Sequence, residues 1–242
     1  MHSLPQEIID EIIDILPHSS LLSTSLVAKR WRKRSQQHAL KDILFGSESM
    51  VNAWHTKIQS SHSEIPSYAQ FVGFTNITDW RDPALFGRVL NNFSSLTELG
   101  LFCTEIPGGI PEHISNGGVG QGVTTLYLQC LRCSISAVIS TILAFPNLQD
   151  LVIIDLTITS TEEPSTRSVS SQRRPFESLL IRGWGNGPVA KALADHRFAS
   201  RRLTLDAKPQ NIQKLLAFSS VTIVELVLVG VCSLCGRLRK SK

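Results

Sequence analysis

"LTELGL", residues 96–101, is the stretch that decides the fold of this 242-residue chain, because its pattern returns along most of the sequence. The pattern is one apolar residue, two variable residues, an apolar residue, a variable residue and a final apolar residue. Further copies are "VTTLYL" at 123, "LQDLVI" at 148, "FESLLI" at 176 and "IVELVL" at 223, with weaker copies "YAQFVGF" at 68 and "SRRLTL" at 200. Short apolar motifs that recur at a nearly constant interval predict repeated strands.

The fourth position of each copy serves as an anchor, and successive anchors lie 23 to 28 residues apart. A period of 20 to 29 residues with this spacing of leucines is typical of leucine-rich repeats. The usual Asn or Cys after the strand is missing, which predicts an irregular array. The anchors are Phe71, Leu99, Leu126, Leu151, Leu179, Leu203 and Leu226.

Stretches with helical spacing of apolar residues separate the predicted strands. They are "PALFGRVLNNF" at 83, "ISAVISTILAF" at 135, "PVAKALADHRF" at 188 and "PQNIQKLLAF" at 209. Alternating strands and helices at this spacing predict an α/β solenoid in which each unit covers the face of its neighbour. Two segments interrupt the pattern and are predicted to be loops: the Gly- and Pro-rich residues 105–122 and the Ser/Thr-rich residues 155–175.

The first thirty residues hold a different pattern, "LPQEIIDEIIDILPHSSLLSTSLVAKRW" at 4–31. Apolar residues at i, i+1, i+4, i+5 and i+8 predict a helix, with Pro5 in its first turn, a capping box that starts at Ser3, and an end at Pro17. A second helix capped by Ser19 or Ser20, and a third over about residues 29–44, are expected to follow. The apolar stripe of the first helix is wide enough to face two neighbours, so it either packs wholly inward or leaves a partner-binding surface.

These residues resemble an F-box, over roughly residues 3–45. The chain as a whole resembles F-box proteins with C-terminal leucine-rich repeats, of the fungal type. The resemblance implies docking on the Skp adaptor of an SCF-type (Skp–cullin–F-box) ubiquitin ligase. The residues that it implies as adaptor contacts are Leu4, Pro5, Ile8, Ile12, Leu22, Leu26, Val27 and Trp31.

The variable positions inside each predicted strand point away from the buried leucines, because successive side chains of a strand alternate between its two faces. They form a mixed surface that suits a protein or peptide target. The candidate target-binding residues are Glu98, Tyr127, Asp150, Leu180, Arg202 and Glu225.

Composition excludes several classes of protein. Hydrophobic residues make up 42% and charged residues 18% of the chain, and the net charge is +4, which is a globular balance without a strong nucleic-acid signal. No secretory signal is visible, and the longest apolar run, residues 221–234, is too short to span a membrane. Five cysteines without an export signal indicate free thiols and a cytoplasmic or nuclear protein.

Three motifs resemble known binding motifs for a dinucleotide, for zinc, and for phosphate or the nuclear-import machinery. Gly183 and Gly185 follow a strand and precede a helix, as in dinucleotide-binding turns, but Pro188 takes the place of the third glycine. The pairs Cys130–Cys133 and Cys232–Cys235 have zinc-ligand spacing, but the repeats would separate them by about 19 Å, so buried free cysteines are expected instead. The basic cluster "KRWRKR" at 29–34 suits nuclear import, phosphate binding or the solvated face of a helix.

The sequence therefore predicts a mixed α+β and α/β fold: a three-helix F-box at residues 1–50, a linker at 51–65 and a leucine-rich-repeat solenoid at 66–242. The final repeat lacks a polar cap, so we expect either a truncated array or a second chain over its end. The expected function is a substrate adaptor without catalytic activity, metal or cofactor. The alternatives are an interaction scaffold outside any ligase and a nucleotide-binding enzyme built on the Gly183 turn.

Overall fold

The computed structural model describes residues 4–60, 64–78, 80–106, 114, 119–160, 175–183, 187–206 and 223–228. Within these residues the N-terminal helices are α1 (Gln6–Asp14), α2 (His18–Thr24) and α3 (Lys29–Ala39). The later helices are α4 (Glu48–Ser60), α5 (Pro83–Leu90), α6 (Val119–Gly122), α7 (Ile135–Leu143) and α8 (Gly187–Asp195), with a short 3₁₀ helix at Ile65–Ser67. In these parts of the chain, no helix has both the length and the apolar character that a membrane crossing requires.

The strands form one open, eight-stranded parallel sheet and one small parallel pair. The large sheet has the order β1-β2-β3-β4-β6-β8-β9-β10, and the pair is β5-β7. Every strand of the large sheet therefore lies beside its predecessor in that sheet along the chain. The bounds are β1 (Asp42–Phe45), β2 (Phe71–Thr75), β3 (Glu98–Phe102), β4 (Thr125–Gln129), β5 (Arg132–Ser134), β6 (Asp150–Ile154), β7 (Thr157–Ser160), β8 (Phe176–Arg182), β9 (Ser200–Asp206) and β10 (Glu225–Leu228).

One face of the large sheet is buried under the helices. Parallel register aligns the predicted anchors from Leu99 to Leu203 into a continuous buried row, and the neighbouring apolar positions form a second row. The last predicted anchor, Leu226, pairs with Leu203 but is 42% exposed. Both rows share one core with the buried residues of α5, α7 and α8, and each fully buried leucine or isoleucine contributes about 1.5–3 kcal/mol. The buried rows are Ile43, Val72, Leu99, Leu126, Leu151, Leu179 and Leu203, and Phe45, Phe74, Leu101, Leu128, Ile153, Ile181 and Leu205.

The anchor predicted for the first repeat is wrong by one residue. Val72, not Phe71, pairs with Leu99 and is fully buried. Phe71 lies on the opposite face of the sheet, where its ring packs beside Phe102. The shift follows from the strand period of two, because moving the register by one residue would have exposed Val72 and Phe74 and turned Gly73 and Thr75 toward the core.

The sheet begins earlier than the repeat pattern predicts. Residues 42–45, expected at the end of the third helix, form β1 and pair with β2. Helix α4 occupies most of the predicted linker at 51–65, because Val51 is fully buried and Trp54 packs against the main core. The mixed α/β class and the N-terminal helical region are confirmed, whereas the domain boundaries stay a prediction.

The predicted loops contain regular structure at their described ends. Helix α6 lies within residues 105–122, and β7 lies within residues 155–175. Strand β7 forms because its backbone pairs with β5, which follows β4 in the same way that β7 follows β6. Helices α5, α7 and α8 fall where they were predicted, while the candidate helix at 209–218 and the cysteines at 232 and 235 lie outside the described residues.

The N-terminal helices have a small core of their own. Ile9 and Ile13 of α1, Leu21 of α2 and Ala39 of α3 are buried together, with Trp31 partly buried against them. The predicted helix starts need two corrections. Pro5 precedes α1 instead of occupying its first turn, and α2 starts after Pro17, ahead of the predicted serine caps; Ser3 is outside the described residues.

Candidate functional site

Helices α1 and α2, with the residues that flank them, carry an unusual amount of exposed apolar surface. Ile15, Leu26 and Val27 are 83%, 78% and 68% exposed, and six of the eleven exposed large hydrophobic residues in the described parts of the chain lie within residues 4–27. We call the whole set the helical apolar surface. It consists of Leu4, Ile8, Ile15, Leu22, Leu26 and Val27.

Helix α1 and the residues that follow it carry two apolar stripes, one buried and one largely exposed. Ile9, Ile13 and Leu16 follow the spacing i, i+4, i+7 and face the small core. Residues 8, 12 and 15 repeat that spacing one position earlier, so they lie on the adjacent face of the helix. Ile8 and Ile15 are exposed and Ile12 is half-buried. The first stripe of α1 is therefore covered by the small core, and the second is mostly open in the described parts of the chain.

The structure separates the predicted adaptor contacts into two groups. Leu4, Pro5, Ile8, Leu22, Leu26 and Val27 are exposed, and Ile12 is half-buried at their edge. Trp31, in contrast, packs against the small core, so within this chain it positions α3. Ile15, the most exposed residue of the helical apolar surface, was missed; its i+7 spacing from Ile8 could have revealed it.

Two kinds of contact hold α1 against α3: the apolar side chains of the small core, and a set of charged side chains around Asp14 that we call the clamp. The guanidinium of Arg34 donates to both carboxylate oxygens of Asp14 at 2.8 and 2.6 Å, and His38 lies 2.9 Å from the same carboxylate. The hydrogen bond from Arg34 holds the pKa of Asp14 below its ordinary value. Arg30 also donates to the Leu4 carbonyl at 3.1 Å. Part of the basic cluster at 29–34 therefore serves internal contacts.

The second exposed surface is the face of the large sheet opposite the helices, which we call the open sheet face. The structure places all six candidate target-binding residues on its outward positions. Glu98, Asp150, Arg202 and Glu225 belong to one cross-strand row, with Tyr127 and Leu180 in the next. Those in β3 to β8 are half-buried, and those in β9 and β10 are exposed.

The open sheet face carries an aromatic cluster of which the sequence predicted only one member, Tyr127. The ring centroids of Phe71, Phe102 and Tyr127 lie 6.2 to 6.5 Å apart. The rings fold down over Gly100, where a Cβ atom would meet the ring of Phe102, so the glycine makes the arrangement possible. Phe71 was hidden by the misplaced anchor, and Phe102 follows directly after the repeat motif.

The titratable groups of this face influence one another. The Tyr127 hydroxyl donates to the Glu98 carboxylate at 3.0 Å, and burial together with that contact raises the pKa of Tyr127. Burial also raises the pKa of Asp150; Arg202 opposes this effect, while the negative charges of Glu177 and Glu98 add to it. Carboxylates, a phenol and aromatic rings side by side can bind a cation or a hydrogen-bond donor.

The three decoy motifs do not assemble a chemical centre in the described parts of the chain. Cys130 is exposed, contrary to expectation, whereas Cys133 is buried and its pKa is raised to about 11. No group of three potential metal ligands occurs among the described residues. Gly183 adopts a φ of +110°, and a Cβ at this position would collide with the carboxylate of Asp155; Gly185 lies outside the described residues.

Comparisons with known proteins add one finding to this geometry. No curated protein matches the chain. The family model described as the F-box domain matches residues 1–42, which include α1, α2 and α3 and therefore the helical apolar surface: this chain carries an F-box domain at its N-terminus.

Proposed function

We propose that this protein is the substrate-recognition adaptor of an SCF-type ubiquitin ligase. F-box proteins commonly have this role, and the F-box domain generally binds the Skp adaptor. The observation that supports the proposal is the helical apolar surface, which lies within the matched residues and is exposed in the chain alone. Burying such side chains against a partner would stabilise the complex by the same hydrophobic effect that stabilises a core.

The helical apolar surface is the proposed contact with the Skp adaptor. Leu26 and Val27 follow α2 and are among its most exposed members, and Leu22 lies within α2 itself. The Asp14–Arg34 clamp supports the contact by holding α1 on α3, and Trp31 supports it from the small core. An interface with rigid, preformed elements loses less conformational entropy on binding.

We interpret the large sheet as an irregular leucine-rich-repeat solenoid whose open face holds the target protein. Strands that pair in chain order at a period typical of such repeats support this interpretation. The chain would catalyse nothing itself; by binding the ligase through one end and the target through the other, it would raise their effective concentration. The cytoplasm or nucleus would be its compartment, and the fungal type of F-box protein remains the expected subfamily.

Co-purification with the Skp adaptor tests the proposal. The substitution Leu26→Glu should weaken adaptor binding at least about tenfold, because it places a charge within an apolar contact. Met50→Glu is the matched control: Met50 is 51% exposed on α4, outside the F-box match, and its substitution should leave binding unchanged.

Failure of the wild-type chain to bind the adaptor would refute the ligase role. The chain would then be an interaction scaffold outside any ubiquitin ligase, and the helical apolar surface would serve another partner. Equal binding by Leu26→Glu and Met50→Glu would show that the adaptor docks elsewhere on the chain.

A further inference from the structure

The open sheet face has an uneven distribution of charge. On the outward positions of β1, β2, β3, β4 and β6, every charged side chain is a carboxylate, from Asp42, Glu98 or Asp150. The basic side chains of this face begin only at β8 and β9, with Arg182 and Arg202. The full chain carries a net charge of +4, so this half of the face differs in sign from the protein as a whole.

The same half of the face also carries the aromatic cluster. Leu44 extends it: this side chain is 54% exposed and lies next to Gly73, where a Cβ would come within 2.6 Å of it. We call the combined surface the acidic aromatic patch. Its members are Asp42, Leu44, Phe71, Glu98, Phe102, Tyr127 and Asp150.

The carboxylates of Glu98 and Asp150 lie on the strands on either side of Tyr127, close enough for one bound side chain to reach both of them. Glu98 and Asp150 occupy the same cross-strand row, with Thr125 between them. Neighbouring strands are about 4.8 Å apart, so the two backbones are separated by about 10 Å. A cation above Tyr127 would thus be near both carboxylates and over an aromatic ring, which attracts cations through its quadrupole.

The electrostatics of the patch favour a positive occupant. Burial is the strongest influence that opposes ionisation of Asp150, and the negative charges of Glu177 and Glu98 add to it, while Arg202 favours ionisation. Glu177 already pairs with Arg201, whereas no ion pair joins Asp150 to a cation among the described residues. A positive group brought to this place would relieve that repulsion. A nucleic acid would add to the repulsion, because its phosphates carry the same sign of charge.

We propose that the acidic aromatic patch binds a basic segment of a protein target, with a Lys or Arg side chain over Tyr127 between Glu98 and Asp150 and an adjacent apolar side chain on Leu44 and Phe71. This inference rests on the proposed function, since it names the chemical class of the target. The apolar contact supplies burial, and the carboxylates supply selectivity for charge.

Selection from a displayed library of random peptides on the full-length chain tests the inference. The selected pool should be enriched in Lys or Arg next to Leu, Ile, Phe or Met. A synthetic peptide from that pool should bind about tenfold more weakly to the double variant Glu98→Gln/Asp150→Asn, and its affinity for the wild type should fall as salt is raised.

The matched control removes two negative charges elsewhere. Glu11→Gln/Asp195→Asn changes exposed residues of α1 and α8, outside the open sheet face, and should bind the peptide like the wild type. Thermal denaturation of both double variants verifies that they are folded. Tyr127→Ala should weaken binding about tenfold or more, because the cation loses the ring beneath it.

Several outcomes would overturn the inference: a pool enriched in acidic residues, a purely apolar pool, no enrichment, or equal binding by the two double variants. Binding of the Skp adaptor is measured on the same proteins. Loss of peptide selection with adaptor binding retained refutes the basic target and leaves the ligase role intact. Failure of wild-type adaptor binding refutes the ligase role, whichever peptides are selected.

Discussion

At the scale of single residues, the turns after five strands of the large sheet use a conformation that favours few amino acids. The residue that follows the strand has a positive φ in β2, β3, β4, β6 and β8. The amide groups of the first four continue the ladder, as when the Cys103 amide donates to the Gln129 carbonyl. The five residues are Asn76, Cys103, Cys130, Asp155 and Gly183.

Gly183 differs from the other four, and its substitution provides a test. Its φ of +110° is available to glycine only, whereas the others lie between 48° and 59°, in the left-handed helical region. Gly183→Ala should lower the free energy of unfolding by about 1–3 kcal/mol, measured by urea denaturation. Gly46→Ala should change it little, because the added Cβ meets only the Met50 sulfur at 3.8 Å. Equal effects of the two substitutions would contradict the conformational argument.

At the scale of elements, the F-box helices depend on polar contacts as well as on their small core. Four buried residues form that core, so each contact between α1 and α3 matters more than it would in the large sheet. The Asp14 carboxylate is the centre of these contacts, with Arg34 and His38 on α3 as its partners. The stability that these contacts contribute depends on whether the Asp14 carboxylate is ionised.

The pH dependence of the clamp follows from the direction of the pKa shift. Because folding lowers the pKa of Asp14 below its ordinary value of 3.8, the clamp stabilises the fold at pH above that value and stops doing so as the pH falls through the lowered pKa. Asp14→Asn should therefore melt at a lower temperature than the wild type at pH 7, and the difference should vanish at strongly acidic pH.

A double-mutant cycle provides the control for the clamp. Arg34→Gln should reduce the melting temperature at pH 7, and adding Asp14→Asn should cause less further loss than it causes alone. A difference between the wild type and Asp14→Asn that persists unchanged at acidic pH would show that the carboxylate acts by packing instead of by charge.

At the scale of the whole molecule, the two faces of the large sheet differ in how much they contribute to the core. The buried face joins the strands and helices into one core, where Phe74 packs against Phe45, Trp80 and Phe86 with ring centroids 4.8 to 5.7 Å apart. The open face holds Phe102 and its aromatic neighbours, which contribute surface more than core. Substitutions on the open face should therefore disturb the core less than substitutions on the buried face.

Two phenylalanine substitutions test this division. Phe74→Ala should lower the free energy of unfolding by about 3–5 kcal/mol, because it leaves a cavity in a fully buried aromatic cluster. Phe102→Ala should cost far less stability, since Phe102 is half-buried on the open face, and should instead weaken binding of a target peptide. Similar losses of stability in urea denaturation would show that both faces belong to the core.

Much of the architecture could be predicted from local patterns. The recurring motif located β3, β4, β6, β8, β9 and β10, because alternation with a period of two is a property of the strand itself. The helical spacing of apolar residues likewise located α1, α5 and α7 and revealed the surplus stripe on α1. Resemblance, and not spacing, named the F-box and its partner.

Other features needed the tertiary structure, because they depend on contacts between residues far apart in sequence. Strand β1 was predicted as helix, since "DILF" becomes a strand only by pairing with β2. The same pairing set the register that buries Val72 and turns Phe71 outward. Local periodicity determined which segments are strands and helices, whereas long-range pairing decided which side chains meet, and so placed three aromatic rings among three carboxylates on one face.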